Sequence, residues 1–158
     1  MENELILSST RSTQTSLEAV RSGKAGLNPH RQRILERVPE QGDWARFDLD
    51  SIELKDLAYL SAKSGDEFAL LRGKREDILF HGEHGRCRFK DILVDLLNDH
   101  KLEIIGHAHP GEDIPEPSSD DRKVLKEIGQ SQSRIISART GRVAVFGPNQ
   151  FEYIWGGD

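Results

Sequence analysis

The chain holds a single cysteine, Cys87, in 158 residues. One thiol excludes an internal disulfide framework and any zinc site built on several cysteines. The nucleobase-deaminase pattern is set aside on the same ground, since it needs His-x-Glu and Pro-Cys-x-x-Cys. No apolar run approaches the roughly 18 residues that span a bilayer. The opening Met1-Glu2-Asn3-Glu4 is acidic where a secretory signal would be basic. The expectation is a soluble, unprocessed protein with no membrane partner, cytoplasmic or delivered as an effector. A basic excess is also missing. Lys+Arg 22 against Asp+Glu 27 leave a formal net charge of -5, which argues against non-specific nucleic-acid binding, because phosphate neutralisation needs concentrated positive charge. No internal repeat is visible.

What is present divides near residue 43. Residues 8–16 read Ser-Ser-Thr-Arg-Ser-Thr-Gln-Thr-Ser, and residues 20–40 are rich in arginine with Gly23, Gly26 and Pro29. Such composition does not offset the entropy of ordering. Residues 1–42 are therefore expected to be a flexible polar and basic segment, or to carry a short helix over 31–38 that needs a partner. Residues 43–158 are expected to form one compact domain, opening at Trp44-Ala45-Arg46-Phe47.

Within that domain the patterns alternate. Asp50-x-x-Glu53 reads as a capping box before a helix with Leu54, Leu57, Ala58 and Leu60 on its apolar side. Strands over 67–72 and 76–81 form a hairpin around Gly73-Lys74-Arg75. A helix over 90–100 places Ile92, Leu93, Leu96 and Leu97 on one face. Further strands are expected over 102–106, 134–137, 143–146 and 151–155, with a helix after Ser118 that turns Val124, Leu125 and Ile128 inward. The reading is an α/β fold, a single mixed β-sheet with flanking helices.

Metal-binding side chains concentrate in His107-Ala108-His109-Pro110, followed by Pro117-Ser118-Ser119-Asp120-Asp121. On a strand, two histidines separated by one residue present both imidazoles to the same side. The preceding Leu102-Glu103-Ile104-Ile105-Gly106 is apolar and β-branched enough to be that strand. Ser118 can cap a helix beginning at Ser119, which puts Asp121 in its first turn, with its carboxylate at the serine's end. Asp120 is the alternative ligand.

This arrangement resembles the JAMM metalloprotease signature, also called JAB or MPN-plus and found in RadC-type proteins, with eight residues here between the second histidine and the serine where the family usually has seven. The resemblance implies a JAB/MPN-like fold with cytidine-deaminase-like layering and zinc held by His107, His109 and Asp121. It further implies that Ser118 steadies the charge building on a carbonyl oxygen and that a glutamate on an earlier strand is the general base. The family's glutamate opens a strand of the form Glu-x-x-Gly-Leu-Leu-x-Gly, similar to Gly65-Asp66-Glu67-Phe68-Ala69-Leu70-Leu71-Arg72-Gly73. Aligned on Leu70, Leu71 and Gly73, Asp66 takes the glutamate's position and Glu67 follows it by one. Glu67 is taken as the base because its longer side chain reaches further, and Asp66 is its rival. A one-residue slip reverses a strand side chain, so both cannot face the site unless a bulge intervenes. The implied activity is hydrolysis of an amide or isopeptide bond in a protein or peptide by a metal-activated water, with a ubiquitin-like C-terminus as one substrate class. Similar JAB domains occur in bacterial and phage effectors.

Simpler readings stand beside these. Ser-x-x-Asp is also an ordinary helix cap, and Glu67 an ordinary strand carboxylate. A catalytically inactive JAMM-like binding module or a RadC-like accessory protein acting on nucleic acid remain the alternatives. His81 and His84, which flank Gly82-Glu83, are read as solvated loop residues. Cys87 lies between Arg86 and Arg88, which would lower a thiol pKa. Without an identifiable base it is read as buried or incidental.

Overall fold

The computed structural model describes residues 4–9 and 29–154. Its strands are β1 Leu5–Ser8, β2 Trp44–Asp48, β3 Phe68–Arg72, β4 Glu76–His81, β5 Arg86–Phe89, β6 Glu103–His109, β7 Ser133–Ser137, β8 Val143–Phe146 and β9 Phe151–Ile154. The helices are α1 Pro29–Glu36, α2 Leu54–Ser64, α3 Ile92–Asn98 and α4 Ser119–Ile128. Seven strands form one mixed sheet in the order β2-β4-β3-β6-β7-β8-β9. In it β6 and β7 run parallel and the other neighbours antiparallel. Parallel neighbours need a crossover, and α4 supplies it. A second sheet, not foreseen from sequence, pairs β1 with β5.

Each face of the large sheet has its own core. On one side Ile34 of α1 and Leu57, Ala58 and Leu60 of α2 pack on Phe68, Leu70, Leu79, Ala108 and Ile136. On the other, α3, α4 and the β1–β5 sheet cover Ala69, Leu71, Phe80, Ile104, Ile135 and Phe146. Gly106 is fitted to the first interface. A Cβ there would lie 2.4 Å from Leu54 Cδ2 and 3.0 Å from the Arg134 carbonyl oxygen, so no larger residue lets α2 approach β6 this closely.

The pairing of β3 with β6 slips once. Leu70 faces Gly106 but Leu71 faces Ile104, leaving Ile105 as the extra residue. A bulge resets the alternation. Ile104 therefore joins the same core as Ala69 and Leu71 while His107, three residues on, faces Ala69 and edges onto Phe146 of that core.

Several expectations need correction. The alternative of a short helix over 31–38 that needs a partner fits α1, Pro29–Glu36, whose Ile34 is buried, but Leu5–Ser8 lies in the stretch expected to be flexible, and its Leu5 and Leu7 are buried in the other core. A four-residue strand carries no readable period, and its burial depends on β5 and α4, which are distant in sequence. Residues 10–28 and Trp155 lie outside the described residues. The cap of α2 is displaced by three positions: the Glu53 N–H donates to Asp56 Oδ2 at 2.9 Å, and Asp50 sits at φ 61 in a turn instead. Helix α3 is shorter than 90–100 and buries Leu93, Val94 and Leu97, while Ile92 is exposed. Among the described residues no helix is long and apolar enough to cross a membrane.

Candidate metal centre

Alternation on β6 sends His107 and His109 to the α4 side of the sheet, where both are fully buried. Their Nε2 atoms are 3.0 Å apart. Helix α4 starts directly opposite. Ser118 is its N-cap, with Oγ accepting from the Asp121 N–H at 3.1 Å, while Asp121 Oδ2 accepts from the Ser118 N–H at 3.0 Å. This reciprocal cap contributes about 1 kcal/mol to the helix and fixes the Asp121 carboxylate. The same Oδ2 lies 3.3 Å from Nε2 of His107 and 3.3 Å from Nε2 of His109.

Those three atoms form a compact triangle. Ligands about 2.0–2.1 Å from a tetrahedral metal are separated by about 3.3–3.4 Å along each edge, close to the spacings found here. The donor set therefore fits a small divalent cation. Asp120, by contrast, is exposed and accepts from the Ser8 hydroxyl at 3.0 Å.

The fourth group is Glu67. Its backbone is pinned just before β3: the Glu67 N–H donates to the Glu83 carbonyl at 2.9 Å, and the Gly82 N–H donates to the Glu67 carbonyl at 2.7 Å. A Cβ on Gly82 would come within 2.9 Å of that carbonyl oxygen, so the glycine permits the contact. Sharing the parity of Ala69 and Leu71, the Glu67 side chain enters the site. A carboxylate oxygen and one nitrogen from each of His107 and His109 all lie within 4.8 Å of one another. These three buried residues are close enough together to hold a metal ion.

Asp66 takes the other face. Its Oδ2 is 2.7 Å from His81 Nε2 and its Oδ1 accepts from Gln41 Nε2 at 3.2 Å. The bulge sits across from Leu70 and Leu71 and does not reverse either carboxylate. His81 is thus no solvated loop residue: its ring stacks on Phe68 at 4.3 Å and its Nδ1 meets the Pro39 carbonyl at 2.8 Å. His84 is exposed. Cys87 is buried, and burial pushes its thiol well above the ordinary value, with no sign of the lowering that flanking arginines would cause.

Electrostatics separate the four groups. Burial lifts Glu67 from 4.5 to about 8, against the attraction of His109. Ser9 exerts a weaker lowering pull, yet neither carboxylate oxygen has a hydrogen-bond partner of proper geometry. Burial depresses His107, and Asp121 only partly offsets this. For His109 burial acts the same way, but hydrogen bonds to Asp121 and Glu112 outweigh it and raise the pKa to about 10. Asp121 is held far below the carboxylate range, because the two imidazoles overcome its desolvation.

Two participants went unnoticed in the sequence. Glu112 Oε1 lies 3.0 Å from His109 Nδ1; a carboxylate only accepts here, so Nδ1 carries the proton and the ring's Nε2 turns to the site. The only signal is its place three residues after His109. Ser8 is the other. Its N–H donates to Asp121 Oδ1 at 2.7 Å and its hydroxyl lies 2.9 Å from Ser118 Oγ, across a separation of more than a hundred residues that no local pattern encodes. His107 Nδ1 is buried without a hydrogen-bond partner.

No family model, no curated protein and no solved structure matches the chain.

Proposed function

We propose that the chain is a zinc-dependent peptidase or isopeptidase of JAMM type, with JAB/MPN-like, cytidine-deaminase-like layering. The observation that carries the reading is the triangle of His107 Nε2, His109 Nε2 and Asp121 Oδ2, with edges of 3.0, 3.3 and 3.3 Å, beside the unpartnered Glu67 carboxylate. His107, His109 and Asp121 are the ligands. When bound, zinc supplies a Lewis acid for a substrate carbonyl and makes a water acidic near pH 7.

The rest falls to the chain's own side chains. Glu67 takes the proton of the attacking water and returns it to the leaving amine. A neighbouring cation would favour its ionised form, which burial alone disfavours. Ser118 Oγ, next to the Asp121 ligand, donates to the developing oxyanion. Glu112 orients His109. The substrate is an amide or isopeptide in a protein or peptide, with ubiquitin-like conjugates as the class to try first on the strength of the resemblance.

The test is metal analysis joined to turnover. Purified protein is expected to hold about one zinc per chain, removed by chelator and absent from His107→Ala and His109→Ala. Profiling against ubiquitin-like conjugates and unstructured peptides, with and without chelator, should give chelator-sensitive cleavage. Stoichiometric metal that survives both histidine changes would end the ligand assignment. Metal retained with no cleavage of any substrate would leave a binding module.

A further inference from the structure

We infer that β1 is an internal ligand: Leu5–Ser8 fills the groove in which a substrate polypeptide binds as an extended strand, and the centre opens by exchange of one strand for the other. The inference rests on the peptidase reading for the identity of the occupant, and on the fold alone for the exchange.

Strand β1 stands apart from the seven-stranded sheet and, among the described residues, pairs with β5 alone, over four residues. A two-stranded sheet this short is marginal by itself. Alternation turns Leu5 and Leu7 inward, where both are buried. The Glu4 carboxylate lies 3.8 Å from Arg88 and 3.4 Å from Lys90. At the other end the backbone runs into the centre, since the Ser8 N–H bonds Asp121 and the Ser8 hydroxyl meets Ser118. One peptide N–H of this segment thus bonds a proposed ligand, and one of its side chains meets the hydroxyl that would donate to the oxyanion.

Closed in this way, the centre cannot serve a polymer. Glu67, His107, His109 and Asp121 all have a relative exposure of 0%. Among the described residues, β1 reaches the centre directly, through the contacts of Ser8 with Asp121 and Ser118. Strand addition derives affinity from main-chain hydrogen bonds and selectivity from alternate side-chain pockets. The groove therefore selects an acidic residue, then two apolar residues separated by one position, then a small residue at the centre.

The test is a reversible lock on the outer face, Ile6→Cys/Arg88→Cys. These positions are paired across β1 and β5, paired antiparallel positions lie within disulfide reach, and Lys90, the nearer of the two cations, remains to meet the acidic residue once Arg88 is replaced. The probe is a fluorescent peptide Glu-Leu-Ile-Leu-Ser-Ser, followed by anisotropy on metal-free protein. Cobalt uptake, read by its visible absorption, is measured alongside. The reduced protein is expected to bind the peptide and take up cobalt, and oxidation to slow or weaken both by about tenfold or more, according to the fraction of molecules with the strand lifted. A control peptide with serine for both leucines should not bind. Peptide binding that is absent from the reduced form, or equal in both forms, overturns the inference. Redox-gated peptide binding without cobalt uptake in either form supports the strand exchange and removes the metallopeptidase reading instead.

Discussion

Asp66 and Glu67 are neighbours in sequence and opposites in environment. Asp66 points to the α1–α2 side of the sheet, is slightly exposed, and finds His81 at 2.7 Å and Gln41 at 3.2 Å. Glu67 points to the α4 side, is wholly buried, and has two carboxylate oxygens without a hydrogen-bond partner. Each lies near histidine, yet only the first is satisfied. A paired carboxylate stabilises the fold it sits in. An unpaired buried one costs stability, and beside two convergent imidazoles it is close enough to them to share a metal ion.

The sharpest break of this contrast is in turnover. Glu67→Gln is expected to keep the metal and lower kcat by about 10²–10⁴, while Asp66→Asn leaves kcat within a few-fold. Steady-state rates and metal content of the two variants check this, and equal losses would erase the distinction. Ser118→Ala comes next. Losing an oxyanion donor costs about 10²–10³ in rate, and losing the cap costs about 1 kcal/mol of stability, so rate and thermal melt should fall together but unequally.

The pH dependence of the metal-free protein sharpens the comparison further. Glu67 has its folded pKa raised from 4.5 to about 8 and His109 from 6.5 to about 10. In both cases the folded state keeps a proton that the unfolded chain gives up, so stability falls as pH rises. His107 is depressed below 6.5 and acts in the opposite sense only below that value. Between pH 6.5 and 8 the melting temperature without metal should therefore decline, and decline less in Glu67→Gln. Apparent metal affinity should climb over the same window, because binding releases these protons. A melting temperature that rises from pH 6.5 to 8 would contradict the assigned burial of Glu67.

The smallest effect is on stability at fixed pH. Removing the unpartnered charge in Glu67→Gln should raise metal-free stability at pH 8 by about 1–3 kcal/mol. Asp66→Asn, which weakens a nearly satisfied pair at the edge of the core, should lower it by about 1 kcal/mol or less. Chemical denaturation of the two variants in chelator gives both signs.

Local pattern carried much of this. The His-x-His alternation, the Ser118 cap with Asp121 in its first turn, the β3–β4 hairpin around Gly73 and the inward face of α4 at Val124, Leu125 and Ile128 all follow from short-range periodicity and capping chemistry, and the structure has each of them. The mixed α/β class follows from their alternation. What failed depended on partners far along the chain. Leu5–Ser8 is a strand only because β5 and α4 receive it, and His81 is held by Asp66 and the Pro39 carbonyl rather than by anything adjacent.

Which of two adjacent carboxylates meets the imidazoles is divided at the level of residues: side-chain length favours Glu67, while the resemblance aligns Asp66 with the signature's glutamate. Tertiary structure decides it. The Gly82–Glu83 turn grips the Glu67 backbone, fixing its face, and the extra residue Ile105 in β6 brings His107 round to that same face. Sequence determines which side chains alternate along each strand, because the pleat has a period of two. The register between strands determines which of them meet, and that is set by long-range pairing and by one bulge, which no single segment encodes.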